Sequence, residues 1–290
     1  MLLSMTGYGK ATGMFNEKKI RVEIKSLNSK NLDLQLKMSS LYREKELELR
    51  SSLLGKLVRG KVDLSIYVEE GPKAESRMEL NKAALSNYYE QISALSKELG
   101  DVESPILPNL LGLSDAFKPK VNELQPEEWE AVLKTVDEAI AHLQTFRQQE
   151  GAALEKDFIE RLNSIEANAS KVKERLPIRK EKVVQKLKDA IESLSVENSD
   201  ANRFEQELIY YLEKLDISEE EVRLANHLSY FKETMQEGDT NGRKLGFIAQ
   251  EIGREVNTMG SKAKDADIQQ LVVLMKDDLE KIKEQVLNVL

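Results

Sequence analysis

The chain has no cysteine. Disulfides, thiolate metal sites and a cysteine nucleophile are therefore excluded, and the lack is weakly consistent with a reducing compartment. Histidine is almost as scarce: His142 and His227 are the only two. Aromatics make up 6% of the residues while charged residues make up 32%, a balance that suits long solvated helices better than a sandwich or barrel. No stretch approaches the roughly 20 apolar residues of a membrane span. Met1-Leu2-Leu3-Ser4-Met5 passes at once into polar residues, so no signal peptide and a cytoplasmic location are expected. Walker A, HExxH and GxSxG motifs are missing as well. Gly7-Tyr8-Gly9 followed by Gly13 is not a dinucleotide fingerprint, because the third glycine is misplaced and no helix opens there. No organic cofactor is expected.

What is present starts with a length of 290 residues, enough for one large or two modest domains with a core that needs no staples. The net charge of −8 is unevenly spread. Residues 1–62 hold 13 Lys+Arg against 6 Asp+Glu, a balance of +7 that leaves −15 for the rest. A basic head on an acidic body is either two ordinary solvated surfaces or a nucleic-acid footprint on the head.

The apolar pattern predicts an α+β protein. Residues 2–14 read as a strand and turn. Lys19–Ser26, Asn31–Met38 and Lys61–Val68 alternate apolar and polar residues with the period of half-buried strands. Residues 41–58 switch to helical spacing, with Leu47, Leu53, Leu54 and Leu57 on one side. The expectation is a small β-β-β-α-β module over 1–72 and a connector over 73–126. The connector has a helix at Asn81–Leu99 and four of the six prolines after residue 100. A mostly helical region follows over 127–290, with long antiparallel helices and an interruption or kink at Pro177. Its helices are expected near 178–195, 200–214, 218–236, 241–259 and 265–288, the last strongly amphipathic.

Candidate chemistry gathers in the C-terminal half. On a helix, Glu220, Arg223 and His227 return to one face, Ser218 can cap its start, and Glu219–Glu221 suit its positive end. On the next helix Glu251 and Glu255 project from one face, Thr258 and Lys262 continue the stripe, and Arg254 and Asn257 flank it. Arg203 and Glu207 form a similar pair upstream. Asp216, Glu220, His227, Glu251 and Glu255 could ligate a hard divalent cation if their helices pack together. Such an ion could polarise a phosphodiester, or His227 could act as general acid or base. The plainer reading is ion pairs on solvated helices, with His142 structural. In the head, Arg21, Lys25, Lys30, Arg59 and Lys61 could hold RNA phosphates. Tyr8 and Tyr42 are too few for a base-stacking platform, so backbone and shape recognition is expected.

Several segments carry a resemblance beyond pattern. They are Ser4-Met5-Thr6-Gly7-Tyr8-Gly9, the run Glu23 to Asp33, Arg59-Gly60-Lys61-Val62, and Arg147-Gln148-Gln149-Glu150-Gly151 with Leu154. The C-terminal half adds Arg203 with Gln206-Glu207, Asp216 to Glu220 with Arg223-Leu224 and His227, and Gly242 to Leu245 with Phe247. Gln250-Glu251, Arg254-Glu255, Asn257-Thr258 and Ser261-Lys262 complete the set. In order and spacing the chain resembles the YicC/YloC family of bacterial endoribonucleases nearly end to end. The resemblance implies an Mn²⁺- or Mg²⁺-dependent endoribonuclease of RNA decay or small-RNA turnover, and a homo-oligomer, a hexamer, that encloses RNA. By the same resemblance Glu220, His227, Glu251 and Glu255 would hold the metal or handle protons. Arg223, Arg243, Arg254, Asn257 and Lys262 would contact phosphate or stabilise transition-state charge, and Arg21, Lys25, Lys30, Arg59 and Lys61 would help hold RNA. Gly246 departs from the family, standing where an Asp is usual. So do Asn226, Glu221 and the closing Leu287-Asn288-Val289-Leu290. Two other classes compete with the enzyme: a non-catalytic RNA-binding adaptor, and a helical oligomeric scaffold in which helix 265–288 makes subunit contacts.

Overall fold

The computed structural model describes residues 2–70, 78–100, 105–119, 124–193, 201–238 and 241–290. The expected β-β-β-α-β module forms. Strands β1 (Gly7–Phe15), β2 (Lys18–Leu27) and β3 (Leu32–Lys37) lead through a 3₁₀ turn, Ser40–Lys45, into α1 (Glu46–Leu54) and then β4 (Gly60–Glu69). The sheet order is β1-β2-β4-β3. Only β3 runs parallel to its neighbour, because α1 returns the chain across the sheet. On the buried side Ile20, Val22 and Ile24 lie opposite Val68, Ile66 and Leu64.

α1 departs from the expected face. Leu47 and Leu54 are exposed, while Tyr42, Leu49, Leu53 and Leu57 are buried. The 3₁₀ turn has three residues per turn, so it shifts the phase of the helix that follows.

Strand β5 (Met78–Leu80), α2 (Lys82–Leu99), α3 (Ile106–Leu110) and β6 (Phe117–Pro119) form a satellite around Leu85, Leu110 and Ala116. The Asn81 side chain caps α2 at the Ala84 amide. Then comes α4, one helix of 68 residues from Pro126 to Ser193. Pro177 does not interrupt it. Pro177 is exposed, so the helix carbonyl it leaves without a donor can turn to water.

Helix α4 belongs to two cores. Trp129, Val132, Val136, Ala139, Ile140 and Leu143 pack on the sheet. Phe158, Leu162, Ile165 and Val172 pack with α6 (Ser218–Gln236), α7 (Gly242–Ala263) and α8 (Ala266–Val286). The helix lies close on β1 because the residues beneath it lack side-chain bulk. At Gly9 a Cβ would sit 2.1 Å from the Ala139 carbonyl oxygen. The inward residues of β1 read Gly7, Gly9, Ala11 and Gly13, a period-2 stripe that makes a groove for the helix. The His142 ring meets the Lys10 carbonyl at 2.6 Å, a structural role.

The N-terminal segment closes the molecule. Ser4 pairs with Val289, Leu290 donates to the Leu3 carbonyl at 2.8 Å, and Leu2 is buried in the helical core. Arg147, 4% exposed, donates to Ser26 Oγ at 2.6 Å and to the Met5 carbonyl at 3.4 Å. Burial pulls its guanidinium below its usual range. No helix among the described residues is long and apolar enough to cross a membrane.

Candidate active site

Helices α6 and α7 lie antiparallel, pinned at both ends. Lys262 Nζ donates to Glu220 Oε1 at 2.7 Å, and Lys244 Nζ donates to Glu237 Oε2 at 2.6 Å. That register puts His227 on α6 and Glu255 on α7 at the same level. Glu255 sits between Ile252 and Val256 on the core-facing side of α7 and is 8% exposed. No hydrogen bond or ion pair satisfies its carboxylate among the described residues. His227 is half-buried and likewise unbonded among them.

Glu220 is the second buried carboxylate, 5% exposed. It lies in the first turn of α6, where the positive end of the helix favours a negative charge. Lys262 takes one oxygen, and Oε2 is buried without a partner. Asp216 adjoins this pair. Its carboxylate accepts from Ser218 Oγ at 2.6 Å and from the Ser218 amide at 3.1 Å. Those bonds, chiefly the hydroxyl, and the charge of Lys262 hold it below the usual carboxylate range. The cap on α6 thus comes from Asp216, and the expected Ser218 cap is replaced by its hydroxyl donating in return.

Beneath the cluster lies Arg179 of α4, 7% exposed. It donates to the carbonyl of Leu215 at 3.2 Å and to that of Lys262 at 2.5 Å. It thereby ties the turn before α6 to the end of α7. Burial lowers its guanidinium, opposed in part by Asp265. Sequence reasoning passed over it, because its partners are backbone carbonyls that carry no residue signature. Arg179 and Asp216 also line a cleft of about 850 Å³ between α4 and the start of α6, with Lys173 and Lys180 on its wall.

The other expected residues disperse. Arg223 pairs with Glu219, and Arg254 with Glu251 at 2.7 Å, both as exposed pairs within one helix. Asn257 is exposed. Arg243 stands about 28 Å from Lys262 along α7. There burial, and after it the charge of Arg243, lowers the Arg59 guanidinium. Arg59 itself donates to the Val289 carbonyl at 2.7 Å, a strap between the sheet module and the last residues. Gly242 fits beside that strap only as glycine, since a Cβ would lie 2.3 Å from the Val289 carbonyl oxygen. Lys25, Lys30 and Lys61 are exposed, and Arg21 pairs loosely with Glu23 and Glu69. Tyr42 is no RNA contact: it is fully buried and donates to Glu128 at 2.7 Å. The side chains of Arg203 and Glu207 lie outside the described residues.

Among the described residues no three His, Asp or Glu side chains converge to hold a metal ion. Glu220, Glu251, Glu255 and His227 therefore form no ready-made cage within one chain. The ammonium at Glu220 already stands where a cation's charge would go.

Both halves of this architecture match family models. An endoribonuclease YicC-like N-terminal region model covers residues 2–156, and a YicC-like C-terminal model covers residues 172–290. The chain belongs to the YicC-like endoribonuclease family. A protein named probable endoribonuclease YicC from Clostridioides difficile is 29% identical over 294 residues, spanning the whole of both chains. One of the same name from Haemophilus influenzae is 29% identical over 297 residues, covering 99% of each. The gap between the two YicC-like models, 157–171, falls inside α4, so the family's two regions join within a continuous helix.

Proposed function

We propose that this chain is an endoribonuclease that cuts RNA phosphodiesters on the α6/α7 face, acting in RNA decay or small-RNA turnover. The observation that carries the reading is the partnerless, buried Glu255 at the level of His227, in a chain matched over both halves by endoribonuclease models. A carboxylate without an internal cation or donor is a proton acceptor in waiting. In this reading Glu255 takes the proton of the attacking hydroxyl as the new P–O bond forms. The bond to the leaving oxygen breaks, and His227 supplies the proton that oxygen needs. Arg254 and Asn257, exposed and one and two residues from Glu255, meet the phosphates. Lys262, held by Glu220, is a positioning residue that fixes the end of α7 on α6.

Glu255→Gln and His227→Gln are expected to lower cleavage of a labelled structured RNA by about 10²–10⁴-fold. RNA affinity should stay within about twofold, because neither substitution removes a phosphate contact. Undiminished cleavage by Glu255→Gln would remove Glu255 from the reaction. The Mn²⁺ or Mg²⁺ requirement implied by the resemblance also belongs to this proposal, but among the described residues no three His, Asp or Glu side chains converge to hold a resident ion. Protein dialysed against EDTA is accordingly expected to keep its fold, and a collapse of Trp129 fluorescence would reveal a structural cation. The alternative is a non-catalytic RNA-binding adaptor. RNA binding without cleavage under any metal condition would establish it.

A cytoplasmic homo-oligomer, a hexamer, completes the proposal. It is supported by apolar residues left open on α2 (Tyr89, Ile92, Leu95 and Leu99) and on α5 (Ala201–Leu215: Ile209 and Tyr210). Light scattering on the purified chain tests it.

A further inference from the structure

The outer face of the four-stranded sheet carries two exposed tyrosines, each paired with a cation. Tyr8 on β1 is 39% exposed and Tyr67 on β4 is 43% exposed. Strand register places Tyr8, Lys25 and Asp63 in one row across β1, β2 and β4. It places Thr12, Arg21 and Tyr67 in another. Lys25 Nζ lies 6.0 Å from the Tyr8 ring centre, and the Arg21 guanidinium lies 4.9 Å from that of Tyr67. Between the rows lies Glu23, whose carboxylate stands 3.7 Å from Arg21 Nε and 3.7 Å from Lys10 Nζ.

We propose that this face is a stacking platform for single-stranded RNA. Bases lie on the Tyr8 and Tyr67 rings, and the cations beside them, Lys25 and Arg21, meet the phosphates. The proposal rests on the RNA reading above and deepens it. The chemistry fits on four counts. Every base presents a π face to an aromatic ring or to an Arg guanidinium plane. The exposed amines of Lys25, Lys61 and Lys19 border the rows and attract the phosphate backbone without displacing a base. The rows are two strands and four residues apart, so the rings stand roughly 16 Å from each other on a diagonal. A duplex cannot use such a platform, because its bases are already stacked on one another and their faces are covered.

The test is fluorescence anisotropy with a labelled 2′-O-methyl single strand and with the same sequence as a duplex. Wild type is compared with Tyr8→Ala, Tyr67→Ala, Tyr8→Phe and Tyr67→Phe. Each alanine is expected to weaken single-strand binding by about five- to hundredfold, from the 1–3 kcal/mol that a stacked base contributes. Duplex binding should hold within twofold. Phenylalanine, which keeps the ring, should restore single-strand affinity. Both side chains are outside the core, and unchanged Trp129 fluorescence confirms that each variant is folded. Alanine variants that bind the single strand like wild type, or that lose duplex binding equally, overturn the platform. Cleavage is read separately. A wild type that cleaves while the alanines bind normally refutes the platform and leaves the nuclease standing. A wild type that stacks single strands through both tyrosines yet cleaves nothing does the reverse.

Discussion

One added methyl group should move stability in opposite directions at Gly9 and at Gly246. At Gly246, inside α7, a Cβ would meet nothing closer than Val286 Cγ1 at 3.6 Å, an ordinary contact. The backbone there is helical with no positive φ, so Gly246→Ala removes unfolded-state freedom without strain. The expected gain is about 0.5–1 kcal/mol. For a chain of this size that is about 1–4 °C in Tm. At Gly9 a Cβ would lie 2.1 Å from the Ala139 carbonyl oxygen and 2.8 Å from the Leu143 nitrogen. Both are backbone atoms of α4, so no side chain can swing away. The helix would have to retreat by more than 1 Å, while Phe158 and Leu162 hold its next turns in the other core. Overpacking of this kind costs about 1–3 kcal/mol, and a backbone obstacle points to the upper end. The assay is urea unfolding followed by fluorescence of Trp129, the single tryptophan, buried in the sheet core and bonded to Glu48 at 3.0 Å. Circular dichroism follows the helices alongside. A Gly9→Ala variant as stable as wild type would refute the close-approach argument for the glycine stripe. A destabilised Gly246→Ala would show that α7 meets something at that position.

Lys262→Met should cost about 3 kcal/mol, the low end for a broken buried pair because Lys262 keeps 31% of its side chain in water. Adding Glu220→Gln should recover much of the loss, and urea midpoints of the two single variants and the double close the cycle. Asp216 has its folded pKa below the ordinary carboxylate value, so its bonds to Ser218 stabilise the fold above that value. The contribution disappears as pH falls through the lowered pKa. Asp216→Asn should therefore flatten the acid limb of a Tm-against-pH curve, and an unchanged limb would show that these bonds contribute nothing.

Local periodicity made the sheet module legible. Alternation at Lys19–Ser26, Asn31–Met38 and Lys61–Val68 marked three of its strands, and the helical run between them gave the β-β-β-α-β order that forms. Features set by distant partners were hidden. Tyr42 looks available in sequence until Glu128, 86 residues away, claims its hydroxyl. Glu220 and Lys262 are 42 residues apart, so neither reveals the other. Tyr67 was readable, since it falls on the outward phase of Lys61–Val68. So was the Gly7, Gly9, Gly13 stripe, whose period of two signals a neighbour's close approach. The carboxylate and histidine set was legible as residue types on helices but not as an arrangement: register sets His227 level with Glu255 and leaves Glu251 with Arg254 on the surface.

The 68 residues of α4 make a rod of roughly 100 Å at 1.5 Å per residue. Its first third is held by the sheet core, from Trp129 to Leu143, and its middle by the helical core, from Phe158 to Val172, with no joint between them. Such a rod is a lever, and a lever carries tilt over distance. From Phe158 to Ser193 it extends about 53 Å, so a 5° rocking of α4 on the sheet would swing the far tip by about 5 Å. Arg179 rides on that arm, gripping the Leu215 and Lys262 carbonyls. A strand of RNA pressing on the sheet would thus have a mechanical route to the start of α6 and the end of α7.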